Sequence, residues 1–291
     1  MTLQPQHISE KLGQAGYVAD RDLAMALSLM QMLGRPLLLE GEAGVGKTEV
    51  AKALAAVHGT ELIRLQCYEG LGRADALYEW NYQRQLLAIQ ARAASGLTLA
   101  EDDVFTERYL LERPLLKAIR QEKPPVLLVD EVDRADEEFE AFLLELLSDF
   151  QVSVPELGTI RSRSIPFVVL TSNGTREISD ALRRRCLYHY VEFPDADREA
   201  AIISARLPQI STTLALQIAR AMEKIRKEDL RKVPGIAETL DWSAALLGFR
   251  ISDLRSDPDT VYATMKCLLK TQEDSSRISP EVVARILGKV A

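Results

Sequence analysis

Gly41-Glu42-Ala43-Gly44-Val45-Gly46-Lys47-Thr48 decides the fold of this chain. A glycine, four residues and then Gly-Lys-Thr is the spacing of a phosphate-binding loop. The glycines allow backbone torsions that side chains would block, so several N–H groups can point inward at a phosphate. Lys47 is long enough to reach the β- and γ-phosphates of a nucleotide, and the Thr48 hydroxyl is a ligand for magnesium. The flanks fit this reading. Pro36-Leu37-Leu38-Leu39-Glu40 is a short buried-strand run just before the loop, and the Ala-rich run from Glu49 to Ala56 reads as helix just after it. The helix start adds the positive end of its dipole to the cradle.

Further along, Val126-Leu127-Leu128-Val129-Asp130-Glu131 ends a second buried run on two acids. In a parallel sheet that strand end lies at the carboxyl edge from which the phosphate loop leaves. Asp130 would hold magnesium, directly or through water, and Glu131 would orient and deprotonate an attacking water. A small-molecule kinase, which must keep water from its phosphate, has no need of the second acid. The Asn-Lys-x-Asp motif expected of a GTPase does not occur, which selects ATP. Thr171-Ser172-Asn173 stands at another strand end. Asn173 is there either a sensor of the γ-phosphate or simply an Asn opening a loop. Asp180-Ala181-Leu182-Arg183-Arg184-Arg185-Cys186 closes a short helix on three arginines. They are either a cationic helix end that complements its own dipole or the source of an arginine finger for a neighbouring subunit.

The apolar runs Glu61–Gln66, Pro125–Asp130, Phe167–Thr171 and Leu187–Phe193 alternate with helical patterns such as Phe139, Phe142, Leu143, Leu146. With the run before the loop they predict a mostly parallel five-stranded sheet between helices, an α/β fold. Two inserts interrupt it. One spans about 70–113 and contains Tyr78-Glu79-Trp80-Asn81-Tyr82 and Glu101-Asp102-Asp103; the other is a hairpin at about 150–165. Beyond Pro194 only helices follow, broken at Pro208, Pro234-Gly235, Ser256-Asp257-Pro258 and Ser279-Pro280. The expected domains are 1–193 and 194–291, the second an all-α lid.

With 291 residues, 47% of them hydrophobic and 27% charged, the chain has the composition of a globular protein of two domains. Its net charge of −7 argues against nucleic acid as the main partner. No apolar run reaches the roughly 20 residues of a membrane-spanning helix, and the start lacks the pattern of a secretory signal. Three scattered cysteines and three scattered histidines predict reduced thiols in a cytoplasm and no metal cluster.

The ordered set of phosphate loop, Asp130-Glu131, Asn173, arginines before a last strand and helical lid resembles the AAA+ ATPases over roughly residues 17–291. Asp130-Glu131-Val132-Asp133-Arg134-Ala135 and the hairpin look like the MoxR-type branch. Arg64-Leu65-Gln66-Cys67-Tyr68-Glu69-Gly70, Ala76-Leu77-Tyr78-Glu79-Trp80 and Pro234 to Trp242 are similar to its CoxD-like subgroup, associated with maturing CO dehydrogenase-type molybdoenzymes. The resemblance implies Gly41, Glu42, Ala43, Gly44, Val45, Gly46, Lys47, Thr48 and Glu49 as nucleotide binders, and Thr48 and Asp130 as magnesium ligands. It implies Glu131 as the catalytic acid, Asn173 as first sensor and Arg184 or Arg185 as the finger. Arg185 is favoured because Cys186 stands where an aromatic usually follows the finger. The sensor arginine usual near the start of the lid helix is missing, which leaves Lys232 or a different coupling. It further implies a ring, commonly a hexamer, with a client enzyme and a von Willebrand factor A-type partner. The insert at Tyr78–Trp80 either faces the ring surface or client or packs on the body. Rival functions on the same core are a nucleic-acid motor or loader and a nucleotide-gated assembly scaffold with little turnover.

Overall fold

A computed structural model of the chain describes residues 5–95 and 103–288. In chain order the helices and strands are Pro5–Gln14 (α1), Arg21–Leu33 (α2), Leu37–Glu40 (β1), Lys47–His58 (α3), Leu62–Gln66 (β2) and Arg73–Ala76 (α4). Next come Tyr78–Trp80 (β3), Tyr82–Ala94 (α5), Leu110–Glu112 (β4), Pro114–Arg120 (α6), Val126–Asp130 (β5) and Glu137–Asp149 (α7). Gln151–Val154 (β6), Gly158–Arg161 (β7), Phe167–Ser172 (β8), Asp180–Arg185 (α8) and Leu187–Tyr190 (β9) complete the α/β part. Six helices follow: Ala196–Arg206 (α9), Thr212–Ile225 (α10), Ile236–Gly248 (α11), Pro258–Thr264 (α12), Gln272–Arg277 (α13) and Pro280–Gly288 (α14).

The chain divides into two compact units. The first comprises the described residues of 1–8, 21–40 and 51–190 and holds a sheet in the order β2-β5-β8-β1-β9. Every pair in that sheet is parallel. The five predicted strands are the five that form it. Central β5 is buried at every position, the continuous apolar run that a sheet covered on both faces requires. Leu127, Val129, Val168 and Leu170 join one core with Leu115, Leu116 and Ile119 of α6 and Phe139, Leu143 and Leu146 of α7. Burial of each large side chain there contributes about 1.5–3 kcal/mol. Strand β9 stops at Tyr190, short of the predicted Phe193, because its one partner β1 runs out opposite it at Glu40.

The hairpin forms as β6 and β7, antiparallel, with Val152 opposite Ile160. In the other insert β3 pairs with β4. Its aromatic stretch divides: Trp80 is buried against Phe105, whereas Tyr82 is 64% exposed. The acidic Glu101-Asp102 lies outside the described residues.

The second unit comprises the described residues of 9–20, 41–50 and 191–291. It is helical, and its helices end or begin at the predicted breaks. Pro258 and Pro280 each open a helix, where a missing N–H is harmless. Trp242 lies at the centre of its core, fully buried, and donates its indole N–H to Thr264 Oγ1 at 2.9 Å. The phosphate loop groups with these helices rather than with the sheet. Among the described residues no helix is long and apolar enough to cross a membrane.

Candidate functional site

The phosphate loop belongs to the helical unit. Lys47 is buried there, its Nζ donating to the carbonyls of Gly41 at 2.6 Å and Glu42 at 2.7 Å. Gly44 has φ +84°, and a Cβ on it would lie 2.8 Å from the Cα of Gly235. A Cβ on Gly235 would come within 2.6 Å of the Cα of Gly44. Two glycines are thus needed for backbone to rest on backbone. Ile236, the first residue of α11, donates its N–H to Gly44 O at 2.8 Å. The lid helix begins directly on the loop.

Lys232 is exposed, and its backbone N–H goes to Asp274. Arg226 makes two 2.7 Å bonds to the buried Glu199 and covers the ring of Phe193 at 4.4 Å, so it locks the lid internally. Arg206 pairs with Glu49 at 2.9 Å, tying α9 to the first turn of α3. Arg198 holds the segment before α2 through Val18 O at 3.1 Å and Asp20 Oδ2 at 2.6 Å. Beside it, burial pushes the Tyr17 hydroxyl up to about 12, against the lowering effect of Arg198.

In the sheet unit the strand ends converge. Asp130 closes β5 and is 3% exposed. Its Oδ1 accepts the Thr171 hydroxyl at 2.5 Å, and its Oδ2 accepts Arg64 Nη2 at 2.6 Å. The next residue, Glu131, adopts a left-handed backbone, φ 55° and ψ 52°, which a residue with a Cβ holds only where its surroundings enforce it. The Thr171 hydroxyl accepts the Glu131 N–H at 2.9 Å. Gln66 Nε2 and Arg134 Nη1 donate to one Glu131 oxygen at 2.9 and 3.0 Å, and Asn173 Nδ2 approaches the other at 3.4 Å. The structure thus brings Asp130, Glu131 and Asn173 together. Gln66 and Arg64 escaped functional reading. Their signal was two polar residues at alternate positions on an otherwise apolar strand, with Gln66 in register opposite Asp130.

The three arginines of α8 separate. Arg183 pairs with Glu40 at 3.0 Å and lies over the Tyr188 ring. Arg184 and Arg185 are exposed, form no ion pair among the described residues, and border an open groove with Leu144, Ser148, Asp180 and Ala181. The carbonyls at the end of α8 are served by Arg35, whose guanidinium donates to Arg184 O at 2.6 Å and to Arg185 O at 3.3 Å. Capping of that helix end is therefore already provided by another residue.

The donor set suits magnesium. Within their own units, Asp130 offers a carboxylate and Thr48 a hydroxyl, both hard oxygens of the kind magnesium accepts alongside water and phosphate.

A family model described as AAA domain (dynein-related subfamily) matches residues 36–186. The gas vesicle ATPase GvpN of Haloferax mediterranei is 25% identical over 206 residues, covering 67% of this chain and 57% of that protein. The denitrification regulatory protein NirQ of Stutzerimonas stutzeri is 22% identical over 264 residues, covering 88% of this chain and 84% of NirQ. The chain thus spans little more than half the length of the gas vesicle relative. Among solved structures, the Thermotoga maritima RuvB Holliday junction branch migration motor matches 88% of this chain and 68% of its own, with 20% identity and a TM-score of 0.45.

Proposed function

The chain belongs to the AAA domain family, dynein-related subfamily, a family of ATP hydrolases, and from that premise we propose that it acts as a ring of identical subunits that remodels a client protein. One observation carries the reading: Arg184 and Arg185 are exposed beside an open groove while Arg183 is held in its own chain and Arg35 serves the helix end. Two guanidiniums displayed this way, with no ion pair among the described residues, fit the γ-phosphate of a nucleotide bound by a neighbour. In this reading Gly41 to Glu49 bind ATP and Lys47 meets its β- and γ-phosphates. Thr48 and Asp130 would each supply an oxygen to magnesium, which would neutralise phosphate charge. Glu131 takes the proton of the attacking water, Asn173 helps place it, and Arg185 of the adjacent subunit, or Arg184, stabilises the departing charge. In this reading residues 1–193 work as the nucleotide domain and 194–291 as its lid, with 9–20 and 41–50 grouped with the lid helices.

The finer assignment is a MoxR-type chaperone of the CoxD-like subgroup, activating a metalloenzyme such as a CO dehydrogenase-type molybdoenzyme, with a von Willebrand factor A-type partner. NirQ, named as a regulatory protein of denitrification, aligns over most of both chains and supports a regulatory or activating task. The test is affinity capture with Glu131→Gln in the presence of ATP. Retention of a metalloenzyme is expected; capture of nucleic acid alone would replace this reading with that of a nucleic-acid motor. Magnesium-dependent hydrolysis unchanged by Glu131→Gln would overturn the catalytic assignment.

A further inference from the structure

Between Asn173 and the arginines runs a short loop, residues 173–179, joining β8 to α8. Two buried carboxylates hold it. Asp133, 3% exposed, sits in the turn after Glu131. Its Oδ2 accepts the N–H of Asn173 at 3.2 Å, the N–H of Thr175 at 2.9 Å and the Thr175 hydroxyl at 2.6 Å. These bonds outweigh burial, which would raise the group, and keep the carboxyl below its ordinary value. Glu140, 1% exposed, stands on α7. Its Oε2 accepts the N–H of Ser179 at 2.9 Å, and its Oε1 pairs with Arg176. Arg176 also donates to Ala135 O at 2.7 Å. Ser179 is the residue that caps α8, its side chain accepting from Leu182.

Burying a carboxylate is costly unless it is paired and hydrogen-bonded. Two in succession, both spent on the same seven-residue loop and both on the segment that follows Glu131, serve more than stability requires. Resting on the shared-site reading above, we infer that Asp133 and Glu140 are positioning residues with divided labour. Asp133 sets Asn173 against Glu131 in the subunit's own site. Glu140, through Ser179 and Arg176, sets the pose of the arginines on α8 that the subunit presents to its neighbour.

The two roles fall in different subunits, which makes them separable. Donor subunits carry Lys47→Ala and intact arginines; acceptor subunits carry Arg184→Ala and Arg185→Ala with an intact phosphate loop. ATP turnover is measured in equimolar mixtures, with the melting temperature of each subunit and fluorescent-ATP binding of the acceptor as checks of folding. Glu140→Gln placed in the donor is expected to lower turnover of the mixture by roughly 10- to 100-fold, the scale set by misplacing a reacting group by about 1 Å. The same change in the acceptor leaves most of it. Asp133→Asn shows the reverse pattern, lowering kcat with KM for ATP unchanged when in the acceptor and doing little in the donor. Arg176→Ala, at the outer side of the clamp, repeats the Glu140→Gln pattern should that variant fold poorly. Equal losses in donor and acceptor would reduce both carboxylates to structural supports and overturn the inference. A parent mixture without complementation would overturn the shared site itself and the positioning role with it.

Discussion

Glu131 is the residue at which geometry and chemistry meet most tightly. Its left-handed backbone is held by the Thr171 hydroxyl, and its carboxylate is met by Gln66, Arg134 and Asn173. In the proposed role of general base it would contribute about 10²- to 10⁴-fold, so Glu131→Gln should lower kcat by that order while ATP binding, measured by fluorescent-nucleotide titration, persists. Thr171 has a separate part: one hydroxyl donates to Asp130 and accepts from Glu131. Thr171→Val keeps the shape, leaves the Glu131 N–H without its hydroxyl acceptor and removes one donor from the buried Asp130 carboxylate. The expected cost is about 1–3 kcal/mol in denaturant unfolding, with a fall in kcat. Asp133 offers a pH test. Its carboxyl is held below its ordinary value of 3.8 in the folded chain, so its contribution is complete above that value and is lost as pH falls through the lower folded one. The stability gap between wild type and Asp133→Asn should be full at pH 6 and shrink steadily below pH 4, as read by chemical denaturation.

At the scale of elements, the lid helix α11 meets the loop through backbone. Gly235 meets Gly44 with no room for a side chain on either, and Ile236 N–H binds Gly44 O. Gly235→Ala would force one backbone away from the other. Such overpacking costs about 1–3 kcal/mol, and the KM for ATP should rise with it, because the loop that cradles phosphate loses its support. Arg226→Met tests the lid's internal lock instead: it strands Glu199 in the interior at a cost of about 3–5 kcal/mol, visible in the unfolding midpoint of the lid. Strands β1, β5 and β8 were legible because each is an apolar run ended at Gly41, Asp130 or Ser172, and the lid because proline breaks helices where it stands. The acids and Asn173 were legible as polar residues ending such runs. Arg64 and Gln66 were not, because their meaning arises only when β2 pairs in register with β5. The Gly44–Gly235 contact was equally hidden: it joins residues far apart in sequence through atoms that every residue shares. The separation of Arg183 from Arg184 and Arg185 required Glu40, which is brought alongside by β1 and β9.

At the scale of the assembly, the exposed arginines and the phosphate loop predict an arithmetic of mixing. In the proposed ring, a heterologous contact would place one subunit's α8 arginines toward the next subunit's nucleotide. Lys47→Ala subunits lose their own nucleotide chemistry and keep their arginines. Arg185→Ala subunits lose the arginine and keep the loop. Each pool alone should be nearly inactive. In an equimolar mixture an interface works only where an Arg185→Ala subunit has a Lys47→Ala neighbour on its arginine-receiving side. Random assembly of a closed ring makes that about one interface in four, whatever the ring size, so turnover should recover to about one quarter of wild type. The ratio is itself diagnostic. A mixture no faster than the mean of its two pools would show that each chain completes its own site. An Arg185→Ala pool that hydrolyses ATP at the wild-type rate would move the trans role to Arg184, and the same mixing with Arg184→Ala should then return the one-quarter recovery.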